Sequence, residues 1–152
     1  MISCICFFES SRGSGRLFGF FPEQSAEACA YRGGFLGLLA IHLILRSVND
    51  TCPGLLGSNE IFSDCLGALD YVSLLPPNRI PSKCKHSDIL KKILIVCSDL
   101  TFSRTYSHVS THQDECREYS NLSRQSQLNC VMDGNAKMEI WDLDPKKLPV
   151  QG

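Results

Sequence analysis

The chain has no long hydrophobic run. The longest, Gly33 to Leu45, is 13 residues and includes His42, short of the roughly 20 apolar residues needed to cross a bilayer. It has little net charge: 15 Lys and Arg against 16 Asp and Glu leave −1 at pH 7. That excludes a globally basic coat for nucleic acid, though not a local basic patch. It has no Cys-x-x-Cys. The nine cysteines fall at irregular gaps, with Cys4 and Cys6 the closest pair, so a zinc ribbon is not indicated. Their number is odd and below the roughly 8–10% of a disulfide scaffold. Scattered reduced thiols in an intracellular protein are expected, with nothing to separate nucleus from cytoplasm. The opening MISCICFF has no basic n-region and meets Glu9 too early for a signal peptide. The sequons Asn49-Asp50-Thr51 and Asn121-Leu122-Ser123 mean little without a secretion signal.

What is present suits an ordinary folded domain. Of 152 residues, 43% are hydrophobic and 20% charged, which excludes disorder along the whole length. A chain of this size buries roughly 70% of its unfolded surface as one domain. Residues 1–141 are read as that domain and 142–152, with two prolines and two lysines, as a polar tail.

Residues 2 to 8 (ISCICFF) read as a strand, 10 to 15 as a turn and Arg16 to Phe21 as a second strand, together a hairpin. Ser25 is the expected cap of a helix from Ala26 to Val48. Ala28, Tyr31, Phe35, Leu38, His42 and Leu45 recur at alternating spacings of 3 and 4, one apolar helical stripe. A third strand could lie near residues 22 to 28. A loop follows, then a strand from Glu60 to Ser63 and a helix from Leu66 to Leu74, stopped by Pro76-Pro77. Ser87 is the expected cap of a helix from Asp88 to Val96. Thr101 to Val109 reads as a strand, 110 to 121 as a polar loop, and Leu122 to Ile140 as the last helix. The order β-β-α-β-α-α-β-α gives the α/β class, a sheet flanked by helices, in which ligand chemistry sits beyond strand ends.

Four stretches carry a resemblance. AYRGGFLGLLA (30 to 40) resembles the first helix of a retroelement-type ribonuclease H domain, where the family has Tyr-Arg-Ala-Glu, an apolar run and Gly-Leu-Leu-Ala. IFSDCLGAL (61 to 69) resembles its strand end and following helix with a catalytic Asp. HVSTHQDE (108 to 115) is similar to the family's His-Val-x-Gly-His-Gln-Asp, and LNCVMDGNAK (128 to 137) to its last helix. The resemblance covers residues 2 to 140 and implies a ribonuclease H-like mixed sheet. It also implies metal-dependent endonucleolytic cleavage of RNA in an RNA–DNA hybrid. Two Mg²⁺ (or Mn²⁺) roughly 4 Å apart would stabilise the attacking and leaving oxygens of the displacement. Holding two such hard cations requires a cluster of carboxylates.

Carried over by position, the resemblance puts Asp64 and Asp133 at two metal-binding carboxylates and His112 at the loop histidine that assists proton transfer. Glu9 falls where the family has the first-strand Asp, one methylene longer. The first-helix Glu falls on Gly34, which has no side chain. Glu27, about 10 Å along the helix, is too far to replace it. Losing one of four carboxylates that act as a unit costs orders of magnitude in rate. The expectation is a degenerate domain with weak or lost catalysis, binding nucleic acid; the alternative is a binding module or retroelement remnant without activity. Arg32, Arg104 and the cluster Lys83, Lys85, Lys91 and Lys92 are the candidate phosphate contacts.

Each residue also has a plainer reading. Asp64 could cap the helix behind it, Asp133 could be a solvated helical carboxylate, Glu9 a strand-end surface charge, and the lysines a solvated face. His42 sits on the apolar stripe and reads as a core histidine. His108, in phase with Tyr106, reads as structural. A zinc site from His108, His112 and Cys116 can be drawn but shows no fourth ligand.

Overall fold

The structure, a computed structural model, describes residues 2–10, 13–21, 29–76 and 79–142. Their order is β1 (Ile2–Ser10), β2 (Gly13–Phe21), α1 (Ala30–Thr51), β3 (Ser58–Ser63), α2 (Leu66–Leu74), α3 (Ser87–Ser98), β4 (Ser103–His108) and α4 (Arg124–Asp142). Two short 3-10 turns, Gln113–Glu115 and Tyr119–Asn121, lie between β4 and α4.

The chain is mixed α/β. β1 and β2 form an antiparallel hairpin, Ile2 opposite Phe21 and Ser10 opposite Gly13. Gly13 has φ +152, a backbone state open to glycine at this tight reversal. β3 and β4 pair in parallel, Ser58 opposite Ser103 and Ser63 opposite His108. A parallel pair needs a long crossover, and here α2 and α3 supply it. Among the described residues the strands form these two two-stranded sheets. β1 runs beside α1 and α4.

The apolar stripe does what its period dictates. Phe35, Leu36, Leu38 and His42 of α1 are buried, and the first three pack with Ala68, Leu69 and Val72 of α2 and Ile89, Leu90, Ile93 and Leu94 of α3. Ile61 of β3 joins the same cluster. The core therefore lies among three helices and one face of the parallel pair.

Helix starts differ from the sequence expectation. α1 begins at Ala30, because Cys29 is extended (φ −149, ψ 160) and its sulfur accepts the Arg32 N–H as the cap. Ser25, the third strand near 22 to 28 and Glu27 lie outside the described residues. α1 runs on to Thr51, past Val48, and stops before Pro53-Gly54, where Gly54 has φ +85. Ser87 is the first residue inside α3 rather than its cap; the cap position is His86, held left-handed at φ 61 and ψ 31. α4 begins at Arg124 instead of Leu122, and Ser123 Oγ accepts the Ser126 N–H at its start. The helix reaches Asp142, the first residue assigned to the tail; residues 143–152 lie outside the described residues.

Candidate functional site

The turn from β3 into α2 carries Asp64. Ser63 Oγ accepts the Cys65 N–H at 3.1 Å, which fixes the turn. His108, at the end of the neighbouring β4, hydrogen-bonds the Asp64 carbonyl oxygen through Nε2 at 3.2 Å. His108 is thus structural, as its phase with Tyr106 suggests. Parallel pairing puts both strand ends, and so Asp64 and His108, at one edge of the sheet.

Gly34 of α1 lies directly against this turn. A Cβ built on Gly34 would sit 2.5 Å from Cys65 Sγ and 2.6 Å from Cys65 Cβ, closer than real side-chain carbons approach. The position where the resemblance expects a carboxylate is therefore closed as well as bare. With hydrogen as its side chain, residue 34 lets α1 come down onto Cys65. Burial pushes the Cys65 thiol above its usual range, and the nearby Asp64 and Cys29 add to that effect. A thiol kept protonated is a poor ligand for a hard dication.

Glu9, next to the end of β1, meets α4 at Arg124. Arg124 Nη2 donates to Glu9 Oε1 at 3.0 Å and Arg124 Nε to Oε2 at 3.4 Å. This fork holds the exposed Glu9 carboxyl below the usual carboxylate range. Both oxygens that could ligate a cation are thus engaged by a guanidinium.

Asp133 is half-buried on α4, one turn after Cys130. Burial, with Asp114 and Asp133 nearby, raises the Cys130 thiol. His112 is exposed at the head of the first 3-10 turn, left-handed at φ 53. Its Nδ1 lies 3.5 Å from Glu115 Oε1. Among the described residues, no three His, Cys, Asp or Glu side chains stand close enough to hold a metal ion. That statement covers Glu9, Asp64 and Asp133, and also the set His108, His112 and Cys116.

The candidate phosphate contacts divide into two groups. Lys83, Lys85, Lys91 and Lys92 are exposed on α3 and the segment leading into it, and none forms an ion pair with a described residue. Arg32 and Arg104 are engaged within the fold. Arg32 is buried; its two terminal nitrogens donate to Asp88 Oδ1 at 3.2 Å and Oδ2 at 3.0 Å, and Nη1 also reaches His86 Nδ1 at 3.1 Å. Arg104 donates to the carbonyls of Phe102 and Cys97, at 3.1 and 3.2 Å, and so closes the C-terminus of α3. The Arg32 guanidinium is thus turned into the fold. No sequence signal linked Arg32 to Asp88, 56 positions away.

Three comparisons, with family models, with curated proteins and with solved structures, returned no match to this chain. Among the described residues, no helix is long and apolar enough to cross a membrane.

Proposed function

We propose that this chain is a ribonuclease H-like domain that binds nucleic acid and has lost the cleavage reaction. The observation that carries this reading is the contact of Gly34 with the Asp64–Cys65 turn. It sets the first-helix position beside the turn that carries the strand-end aspartate, which supports the resemblance. It also puts a sulfur against residue 34. The parallel β3–β4 pair with its helical crossover, the hairpin before α1 and the loop histidine before α4 agree with the same order of elements.

The donor set does not fit a two-magnesium centre. Glu9 is taken by Arg124, Gly34 offers no ligand, and Cys65 supplies a soft atom where a hard oxygen is needed. The binding surface we assign is Lys83, Lys85, Lys91 and Lys92, four unpaired cations within a short segment that can contact phosphates.

The test is a labelled RNA–DNA hybrid offered to the wild-type chain in Mg²⁺ and in Mn²⁺. Binding without cleavage is expected. Binding should weaken with added salt, and weaken roughly uniformly across sequences in Lys91→Glu/Lys92→Glu. Metal-dependent cleavage that Asp64→Asn abolishes would overturn the loss of catalysis. Absence of binding at low salt would overturn the nucleic-acid reading.

A further inference from the structure

Three serines follow an arginine by three positions: Ser82 after Arg79, Ser107 after Arg104 and Ser120 after Arg117. A kinase whose substrate groove is lined with carboxylates selects a serine by an arginine at such a fixed step before it. The fold separates the three. Ser107 lies inside β4, in register with Phe62 of β3, and Arg104 is engaged by the Phe102 and Cys97 carbonyls. Ser120, in the second 3-10 turn, follows Asp114, Glu115 and Glu118 in an acidic stretch. Carboxylates there repel an acidic groove.

Ser82 is the opposite case. Ile80 and Cys84 pack on the core, and Pro81, Ser82 and Lys83 between them are exposed. The Cys84 N–H donates to the Pro81 carbonyl at 3.0 Å, closing a turn with Ser82 and Lys83 at its two middle positions. The Ser82 hydroxyl makes no hydrogen bond to a described residue. Arg79, Lys83 and Lys85 are exposed within three positions of it, and Lys91 and Lys92 on the helix that follows. The carboxylate in this segment, Asp88, is already engaged by Arg32. An accessible hydroxyl thus stands in the most basic segment of a chain whose net charge is −1.

We propose that Ser82 is a phosphorylation site for a protein kinase that reads basic residues, and that its phosphorylation releases nucleic acid from the lysine surface. The release step rests on the nucleic-acid binding proposed above. The Ser82 hydroxyl oxygen attacks the γ-phosphorus of ATP. An O–P bond to Ser82 forms as the bond from that phosphorus to the β,γ-bridging oxygen breaks. ADP leaves, and the hydroxyl proton passes to the kinase's catalytic carboxylate. The monoester carries about −1.5 to −2 at pH 7. Arg79, Lys83 and Lys85, each within three positions, can pair with it. Those cations are then withdrawn from polynucleotide phosphates, which the added charge also repels.

The experiment treats the full chain with ATP, Mg²⁺ and the catalytic subunit of cyclic-AMP-dependent protein kinase, and maps phosphate by peptide mass spectrometry. Ser82 is expected to be modified at least about fivefold faster than Ser120, and Arg79→Ala should slow it by a similar factor. Ser120 modified first, or no phosphate at Ser82, would overturn the site. Affinity for an RNA–DNA hybrid is then measured over a salt series, before and after modification. Phosphorylation should weaken binding about tenfold at roughly 0.1 M salt and lower the slope of log affinity against log salt by roughly 1–2. The same treatment of Ser82→Ala should change neither. Equal affinities before and after modification at Ser82 would overturn the release while leaving nucleic-acid binding intact. An unmodified chain that does not bind the hybrid is the failure of the binding surface itself, and it removes the release step with it.

Discussion

His42 Nε2 lies 2.8 Å from the Tyr106 hydroxyl, tying the middle of α1 to β4 inside the core. On the other side of the ring, Nδ1 lies 2.6 Å from the Leu38 carbonyl oxygen. A carbonyl only accepts, so Nδ1 carries the proton and Nε2 accepts from Tyr106. Both polar atoms of this fully buried imidazole are satisfied in its neutral form. Burial pushes the His42 pKa down and the Tyr106 pKa up.

Stability should therefore fall on mild acidification. The unfolded chain takes up a proton at His42 near pH 6.5, the folded chain only at lower pH. The contribution is full above about pH 6.5 and declines as pH drops toward the folded value. Urea midpoints at pH 7.5 and 5.5 measure it. The slope should shrink in His42→Leu; a slope that survives that change belongs to other groups.

Tyr106→Phe removes the donor and leaves Nε2 buried without one. The expected loss is about 1–3 kcal/mol, read from chemical denaturation at pH 7.5. A near-neutral result would mean that the ring at residue 42 finds another donor.

Gly34→Ala should be destabilising by about 1–3 kcal/mol through overpacking against Cys65. In a Cys65→Gly background the same substitution should lose most of that penalty, since both clashing atoms are gone. Glycine is tolerated at the head of α2. A double-mutant cycle gives the coupling directly. Additive effects would place the two residues further apart than described above. For the same reason, restoring a carboxylate with Gly34→Glu requires Cys65→Gly beside it.

Asp88→Asn should destabilise by on the order of 1–2 kcal/mol. Arg32 is buried, but the Asp88 side chain is 60% exposed, so the value lies between those of surface and buried pairs. Arg32 holds the Asp88 carboxyl below its usual range. This stabilisation is present above the unfolded value near pH 3.9 and is lost as pH falls through the folded one. Acid titration of the wild type and of Asp88→Asn should converge below that point.

Much of the framework was legible because it rests on period and punctuation. The Tyr31, Phe35, Leu38, His42 stripe marked the buried face of α1, and Pro76 marked the end of α2. His42 was readable as a core residue from its place on the stripe. The start of α1 was not, because a cysteine is an unusual cap and the extended backbone at Cys29 leaves no compositional mark. The site was less legible. Gly34 reads as a missing carboxylate, while its second role, letting a helix touch Cys65, depends on a contact 31 positions away. Arg32 reads as a candidate phosphate contact because the group that engages it, Asp88, is close only after folding.

The parallel pair has a kinetic consequence. Ser58 faces Ser103, 45 positions on, so the β3–β4 ladder forms only after a loop of that length has closed. α2 and α3 fall within the loop and pack on each other, and α1 meets the head of α2 at Gly34 and Cys65, 31 positions apart. These are shorter closures than the ladder, whereas Arg32 and Asp88 join α1 to α3 across 56 positions. α2 should pack on α3 and against α1 at Gly34 before the ladder closes. The ladder then zips late. Pulse-labelled hydrogen exchange should protect amides in α3 before those in β4, and a destabilised β4 should speed unfolding more than it slows folding.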